Sequence, residues 1–417
     1  MFSQLRLALF PAVYFLQMSR HYSHINTAIK LIETYKGDTP FNLFIKQFFA
    51  KEKKFGSKDR KQITSLCFSY FRLGLAFNKQ ATTENLLTAF FLCNSEPAEI
   101  IKNLKPEWQE KINETAENKL NFLKTQLSLN DIFPFKNELP EDIDAAAFCR
   151  SFLIQPDLFV RVRPKQKAAT IKKITSAGLE LIFLNNNNCV QFPAGTKIDT
   201  ILEPDNEVVI QDYNSQLVLN YLQENLDEFT AKNKPDRKLS VWDCCAASGG
   251  KSILLIDIIQ QKINLTVSDI RPGSILNLHQ RFKKASIKEY QHFITDISSP
   301  GKKNDSAMYD IIICDAPCTG SGTWSRTPEQ LYFFQQSSID VFTEKQKKIV
   351  ANAIPQLSPG GVFFYITCSV FKKENETVVS FIQHQLGLQL LQMKKLYGYD
   401  KKADSMFVAI FKNPLAE

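Results

Sequence analysis

From residue 239 onward the chain alternates short apolar stretches with segments of helical pattern. The apolar stretches are LSVWDCCAA (239–247), NLTVSDI (264–270), QHFITD (291–296), YDIIICDAP (309–317) and GGVFFYITC (360–368). Runs of this length, rich in Val, Ile and aromatic residues, read as strands. About 10 to 40 residues separate them, enough for a crossover helix between parallel neighbours. Few folds satisfy that alternation. The reading is a Rossmann-like, doubly wound α/β sheet, which takes its ligands beyond the carboxyl ends of its strands. All five stretches carry a chemically capable residue or turn at that end.

The first runs into Asp243-Cys244-Cys245-Ala246-Ala247-Ser248-Gly249-Gly250-Lys251, which opens a helix. Small residues let backbone approach a ligand, and a helix N-terminus presents free N–H groups. Gly250-Lys251-Ser252 matches the end of a Walker A phosphate loop, but that loop needs glycine where Cys245 stands. The second strand ends at Asp269, where an acidic side chain can accept both ribose hydroxyls of a nucleoside cofactor. The third ends at Asp296, and the fourth at Asp315 in CDAPCTGSGTWSRTPE (314–329). The fifth ends at Thr367-Cys368-Ser369, with KKENE (372–376) as the cap and first turn of a helix. Singly, each aspartate is an ordinary cap or turn residue. Four acidic or thiol positions in register at one sheet edge are not.

Residues 25–150 read as a helical domain. TAIKLIETY (27–35), PFNLFIKQFFAKEKK (40–54) and SKDRKQITSLCFSYFRLGLAF (57–77) space their apolar residues at threes and fours. The net charge of +8 belongs to this part: residues 20–80 hold twelve Lys and Arg against four Asp and Glu, and the remainder balances. The excess is densest in KEKKFGSKDRK (51–61). Lys53, Lys54, Lys58, Arg60 and Lys61 are therefore candidates for RNA phosphate contacts; charge alone fits solvated helix faces equally well. NELPEDID (137–144) reads as a linker. Residues 151–232 alternate strand, helix and strand, a small α+β module, and KNKPDRK (232–238) links it to the last domain, 233–417.

At 44% hydrophobic and 12% aromatic, the chain is neither collagen-like, coiled-coil nor disordered. No apolar run reaches the roughly 20 residues of a membrane-spanning helix. Residues 1–24 read as a leader or a mis-called start, with Met18 as the alternative first residue. LALFPAVYFLQM (7–18) is broken by Pro11 and is followed by Arg20, His21 and Tyr22 instead of small cleavage-site residues. Nine irregularly spaced cysteines without a CxxC point to a reducing, cytoplasmic setting and to no metal. A monomer is expected.

DCCAASGGK, SDI, DAPCTGSG with its following RTPE, and TCSVFKKENE resemble, in order and in strand context, the Sun/Fmu-type (NOP/Sun) RNA cytosine-5 methyltransferases. The resemblance covers residues 207–412 and starts with VVIQDYNSQLV (208–218). GSKDRKQITSLCFSYFRLG (56–74) is similar, less specifically, to the NusB-like RNA-binding domain of the bacterial 16S rRNA branch. The implied architecture is an S-adenosylmethionine-dependent methyltransferase domain preceded by an all-α NusB-like domain and an RRM- or ferredoxin-like α+β module. Three positions depart from the family pattern. Ser248 replaces a proline, which should loosen the loop; Ser274 stands where an arginine is usual, with Arg271 earlier; Ser325 replaces one of two arginines.

By the resemblance, Cys245, Ala246, Ala247, Ser248, Gly249, Gly250 and Lys251 wrap the methionine end of S-adenosylmethionine. Asp269 holds its ribose, and Asp296 and Asp315 complete the cofactor-binding set. Cytosine C5 is a poor nucleophile until a thiolate adds at C6. The family's TCS cysteine does this, which assigns attack to Cys368, product release to Cys318 and cytosine activation to Asp315. In DNA cytosine-5 methyltransferases the nucleophile follows Ala-Pro, as Cys318 does here, so context alone permits the reverse. The base must leave its stack to react. Small-subunit rRNA is the expected substrate. The other readings are a tRNA methyltransferase, an adenine-nucleotide hydrolase and a catalytically silent RNA-binding protein.

Overall fold

The computed structural model describes residues 2–184, 188–231, 238–260, 263–299 and 307–415. The linker expected over 232–238 lies, but for Lys238, outside them. The chain forms two compact units: Met1–Lys136 with Asp142–Gln155 and Trp324–Gln335, and Asn137–Glu141 with Pro156–Thr323 and Gln336–Glu417.

The first unit is all-α. Its principal helices are Phe2–Thr34, Phe41–Lys51, Ser57–Arg72 and Thr83–Cys93, with shorter ones over Glu99–Leu104, Ala116–Leu123, Ala145–Ser151 and Pro328–Phe333. Pro40 stands at one N-cap, where a missing N–H costs nothing, and at the next the Gly56 N–H donates to Asp59 Oδ2 at 3.0 Å in a capping box. The apolar stripes meet in a core that includes Ile25, Phe41, Ile63, Leu66 and Phe71, each fully buried. Arg72 is buried too, and its Nη1 donates to the carbonyls of Ser325, Phe152 and Ile154 at 2.7, 3.0 and 3.1 Å. That guanidinium ties together three separate stretches of chain that make up this unit.

The second unit holds two sheets. A four-stranded antiparallel sheet, order β2-β3-β1-β4, is built from β1 (Leu158–Val162), β2 (Ile182–Leu184), β3 (Cys189–Phe192) and β4 (Val208–Ile210), with the helix Lys167–Ser176. This is the α+β module. Arg161 on β1 and Arg163 just beyond it pair at 2.5 and 2.8 Å with Asp257 of the helix Gly250–Ile259, which is why the module clusters with the residues that follow.

The larger sheet has the order β10-β11-β9-β8-β5-β6-β7. Its parallel part is β5 (Ser240–Asp243), β6 (Asn264–Asp269), β7 (Gln291–Ile294), β8 (Tyr309–Asp315) and β9 (Leu357–Thr367), the five strands expected. Ile311, Ile312, Ile313 and Cys314 on β8 and Phe363 to Ile366 on β9 are fully buried, as parallel strands covered on both faces must be. The hairpin β10 (Gln389–Leu396) and β11 (Met406–Lys412) adds antiparallel strands beside β9. From β5 the sheet grows one way through β6 and β7 and the other way through β8 and β9. The reversal between β5 and β8 is the topological switch point, where such sheets open a crevice.

Candidate active site

The loop after β5 is shaped for close approach. Gly249 has φ +83°, and a Cβ there would come within 2.6 Å of the Phe282 ring; Ala247 is also left-handed, at φ +46°. Asp269, at the end of β6, accepts the Ala247 N–H at 3.0 Å through Oδ2, and through Oδ1 it accepts Arg271 N and Nε at 2.9 and 3.2 Å. Asp269 thus anchors the loop and keeps a free acceptor direction on Oδ2. The exposed Arg271 Nε must yield before Oδ1 can serve a ligand. Ser248 does not leave the loop loose, contrary to expectation: Arg281 Nη1 donates to its O and Oγ at 3.2 and 3.0 Å, while Arg281 Nη2 pairs with Asp205 at 2.7 Å. Asp296 receives Ser298 N and Oγ at 3.0 and 2.6 Å and Ser299 Oγ at 3.1 Å. Those bonds hold its carboxyl below the usual range despite some burial.

Beneath the loop, Asp243 is fully buried; Ser252 Oγ donates to its Oδ2 at 2.5 Å and its Oδ1 has no partner. Burial pushes its pKa up to about 7. Lys251 Nζ lies 2.7 Å from Asp315 Oδ2. Burial works against the ammonium, but the Asp315 charge and hydrogen bond outweigh it, and the charge of Cys368 adds to them, so the Lys251 pKa is raised. The loop lysine, the carboxylate ending β8 and the thiol beyond β9 form one electrostatic group.

The two candidate cysteines meet. Cys318 Sγ lies 3.4 Å from Cys368 Sγ. Gly322 makes the approach possible: its N–H donates to the Cys368 carbonyl at 2.8 Å, and a Cβ there would sit 2.2 Å from the Ser405 carbonyl oxygen. The Cys318 thiol is pushed well above its usual range, first by the hydrogen bond with Cys368, then by burial and the charges of Cys368 and Glu374. KKENE supplies the expected cap, Asn375, and the first residue of the helix, Glu376, but not a whole first turn. The helix runs Glu376–His384, whereas Glu374 turns inward and is fully buried beside both cysteine loops. Sequence reasoning missed Glu374, Thr319, Ser369 and Gln346; TCS and the ENE beyond it carried the only signal.

Cys245, half-buried, joins Cys244 and Cys314 in a trio whose sulfurs lie within 4.8 Å of one another. The interaction with Cys244 and Cys314 holds the Cys245 thiol below its usual range, while theirs are raised. Three soft ligands fall one short of a structural zinc site. In the all-α unit, Lys53, Lys54, Lys58 and Lys61 are exposed. Arg60 differs: its Nε donates to the Phe55 carbonyl at 2.9 Å, and its guanidinium stacks 5.6 Å from the Phe49 ring centroid.

The residues at the switch point fit S-adenosylmethionine. Gly249 and Ala247 leave the loop free of bulk, Asp269 offers a carboxylate for vicinal hydroxyls, and the ten-residue helix Gly250–Ile259 starts there.

Residues 230–412 match the family described as 16S rRNA methyltransferase RsmB/F. The chain is 27% identical over 243 residues to a probable ribosomal RNA small subunit methyltransferase B of Bacillus subtilis, covering 57% of this chain and 52% of that protein. It is 26% identical over 210 residues to its Coxiella burnetii counterpart, covering 46% and 49%. The chain thus spans about half the length of these curated relatives. Among solved structures, PH0851 superposes with a TM-score of 0.67 at 17% identity, covering 94% of this chain and 98% of that one. A methyltransferase homologue from Pyrococcus horikoshii gives 0.54 at 18% identity, covering 71% and 98%. The expected fold class holds: a Rossmann-like α/β domain of the kind methyltransferases have, preceded by a helical part that fits a NusB-like domain and by a small α+β module. No described helix is long and apolar enough to cross a membrane.

Proposed function

We propose that this protein, whose residues 230–412 match the RsmB/F methyltransferase family, is an S-adenosylmethionine-dependent RNA cytosine-C5 methyltransferase acting on small-subunit rRNA. The observation that carries the reading is the 3.4 Å separation of the Cys318 and Cys368 sulfurs beside the Lys251–Asp315 pair. A hydrolase needs neither thiol, and a silent RNA-binding protein has no use for the pair.

The cofactor, held by Cys245 to Lys251, Asp269, Asp296 and Asp315, supplies an electrophilic methyl group. The chain supplies the rest. Cys368 stands in the TCS motif that the RNA methyltransferases resembled by this chain use for attack, and it is the thiolate that adds to C6 of a cytosine drawn out of its stack. Asp315, 2.7 Å from the Lys251 ammonium, relays a proton from Lys251 to N3 of the cytosine as the thiolate adds, so that C5 becomes the electron-rich carbon of a neutral enamine.

Attack also changes Cys318. Once Cys368 becomes a thioether it carries no charge, so two of the causes that raise the Cys318 pKa disappear. Cys318 then gives up its proton to solvent more readily; as a thiolate it takes the proton from C5, the C5–H electrons form the C5=C6 bond, and the C6–S bond breaks to return the Cys368 thiolate. Two thiols in contact thus act in sequence, the second becoming easier to ionise once the first is consumed.

The exposed lysines of the all-α unit grip RNA phosphates, which position without reading sequence. The deciding experiment mixes purified protein with methyl-tritiated S-adenosylmethionine and total RNA. Label in 5-methylcytosine of rRNA supports the reading, and ATP turnover without transfer would replace it with the hydrolase. Bisulfite sequencing of RNA from cells lacking the protein identifies the cytosine. Loss confined to tRNA would move the substrate to tRNA.

A further inference from the structure

Glu374 is fully buried, yet the proposed chemistry does not use it. Its carboxylate gathers donors from both cysteine loops. Oε1 accepts the Thr319 N–H at 2.8 Å and Gln346 Nε2 at 3.2 Å; Oε2 accepts Thr319 Oγ1 and Ser369 Oγ, both at 2.5 Å. Thr319 follows Cys318, and Ser369 follows Cys368. Gln346 Nε2 also donates to the Pro317 carbonyl at 3.0 Å, on the other side of Cys318. The next residue, Asn375, donates to the Ser369 carbonyl at 2.8 Å and accepts Thr367 Oγ1 at 2.6 Å. The backbone of Glu374 is pinned as well, by Tyr365 Oη on its carbonyl at 2.6 Å. A carboxylate has about four acceptor directions, and four donors occupy these.

We propose that Glu374 is the positioning residue that holds the two cysteines in contact, its carboxylate bridging the residue after Cys318 to the residue after Cys368. The inference deepens the two-cysteine reading of the site and rests on it for its catalytic consequence. Parallel neighbours β8 and β9 bring the loops to the same edge, but strand spacing alone leaves about 5 Å between chains. Two thiols at 3.4 Å need a further constraint, and Glu374 is where the hydrogen bonds of both loops converge. All these donors are neutral, so the bridge leaves Lys251 to Asp315. Burial pushes the Glu374 carboxyl above its usual range while the four hydrogen bonds hold it down.

The test reads the thiol separation directly, without RNA. Full-length protein is treated with diamide, a diazene whose N=N bond takes up the two protons and two electrons released as Cys318 and Cys368 form an S–S bond. Peptide mapping without reductant measures the rate for that pair apart from the other cysteines. Glu374→Ala should slow this crosslink on the order of tenfold, the effect of losing one charge-assisted hydrogen bond. Glu374→Gln, which keeps shape and one acceptor oxygen, should recover most of the rate. Methylation by Glu374→Ala should show a lower kcat with KM for RNA and cofactor affinity unchanged. Should Glu374→Ala fail to fold, Ser369→Ala removes one strut alone and should also slow the crosslink. An unchanged crosslinking rate in a folded Glu374→Ala, or in Ser369→Ala, overturns the positioning role. Absence of methylation by the unaltered protein, with crosslinking still dependent on Glu374, would instead overturn the proposed function.

Discussion

Cys318 Sγ and Cys368 Sγ lie 3.4 Å apart on loops leaving the adjacent parallel strands β8 and β9. Their surroundings differ in sign, with Lys251 coupled to Cys368 and Glu374 to Cys318. The roles proposed for them are unequal, and removing one thiol or the other has opposite consequences. Cys368→Ala should abolish methylation and form no covalent adduct. Cys318→Ala should attack and then release poorly, leaving RNA attached through Cys368. A denaturing gel with labelled RNA reads both; an adduct in Cys368→Ala and none in Cys318→Ala would reverse the assignment.

Asp269→Ala should weaken S-adenosylmethionine binding by about 1.5–3 kcal/mol for each charge-assisted bond removed. Part of that effect comes through the loop, because Asp269 also holds the Ala247 N–H at 3.0 Å. Asp269→Asn, which retains an acceptor for Ala247, should weaken binding less. Calorimetry of cofactor binding checks both, and unchanged affinity in the alanine variant would place the ribose elsewhere.

Neutralising Lys53, Lys54, Lys58 and Lys61 together should weaken RNA binding and flatten its salt dependence. The log–log slope should fall by about 0.7 for each single-strand phosphate that a lysine no longer neutralises. Arg60→Gln should behave differently. Its guanidinium is engaged with Phe55 and Phe49, so the change should lower stability by about 1 kcal/mol and leave the slope nearly unchanged. RNA titrations at several salt concentrations, beside thermal melts, separate the two effects.

Asp243 makes stability depend on pH. Its carboxyl is raised to about 7 in the folded chain, against about 3.9 when unfolded. The folded state therefore holds the proton more tightly, and stability falls as pH rises from about 4 to 7 by up to about 1.4 kcal/mol per unit. The decline is complete above the folded value. Asp243→Asn removes the charge and keeps an acceptor for Ser252. Its melting temperature should exceed that of the unaltered protein at pH 8, with the gap shrinking towards pH 4. An equal gap at both pH values would show that Asp243 does not titrate in this window.

Four of the five parallel strands were legible because their apolar runs satisfy a local requirement: strands covered on both faces must be hydrophobic nearly throughout; β7, an exposed edge strand, was legible from its residue types alone. The loop DCCAASGGK, the acidic strand ends and the two cysteines were legible for a related reason, since a turn at a strand's carboxyl end carries its residues into the crevice whatever lies elsewhere. The antiparallel hairpin β10–β11 was not. QLLQMKKL and MFVAIFK owe their place to pairing beside β9, which no local pattern reports. Glu374 was hidden for the same reason. In sequence it belongs to a charged run before a helix, and only the folding together of Thr319, Gln346 and Ser369 supplies the donors that let a carboxylate remain buried.

Residue order alone determined the chemistry on offer: which thiols, carboxylates and small residues stand at the ends of which strands. Tertiary structure decided how they meet. It put the cysteine sulfurs 3.4 Å apart across fifty positions of chain, tied Lys251 to Asp315 and turned Arg60 from a surface cation into an internal brace. Hydrogen bonds and ion pairs depend on distance and burial, and neither exists until residues far apart in sequence have packed together.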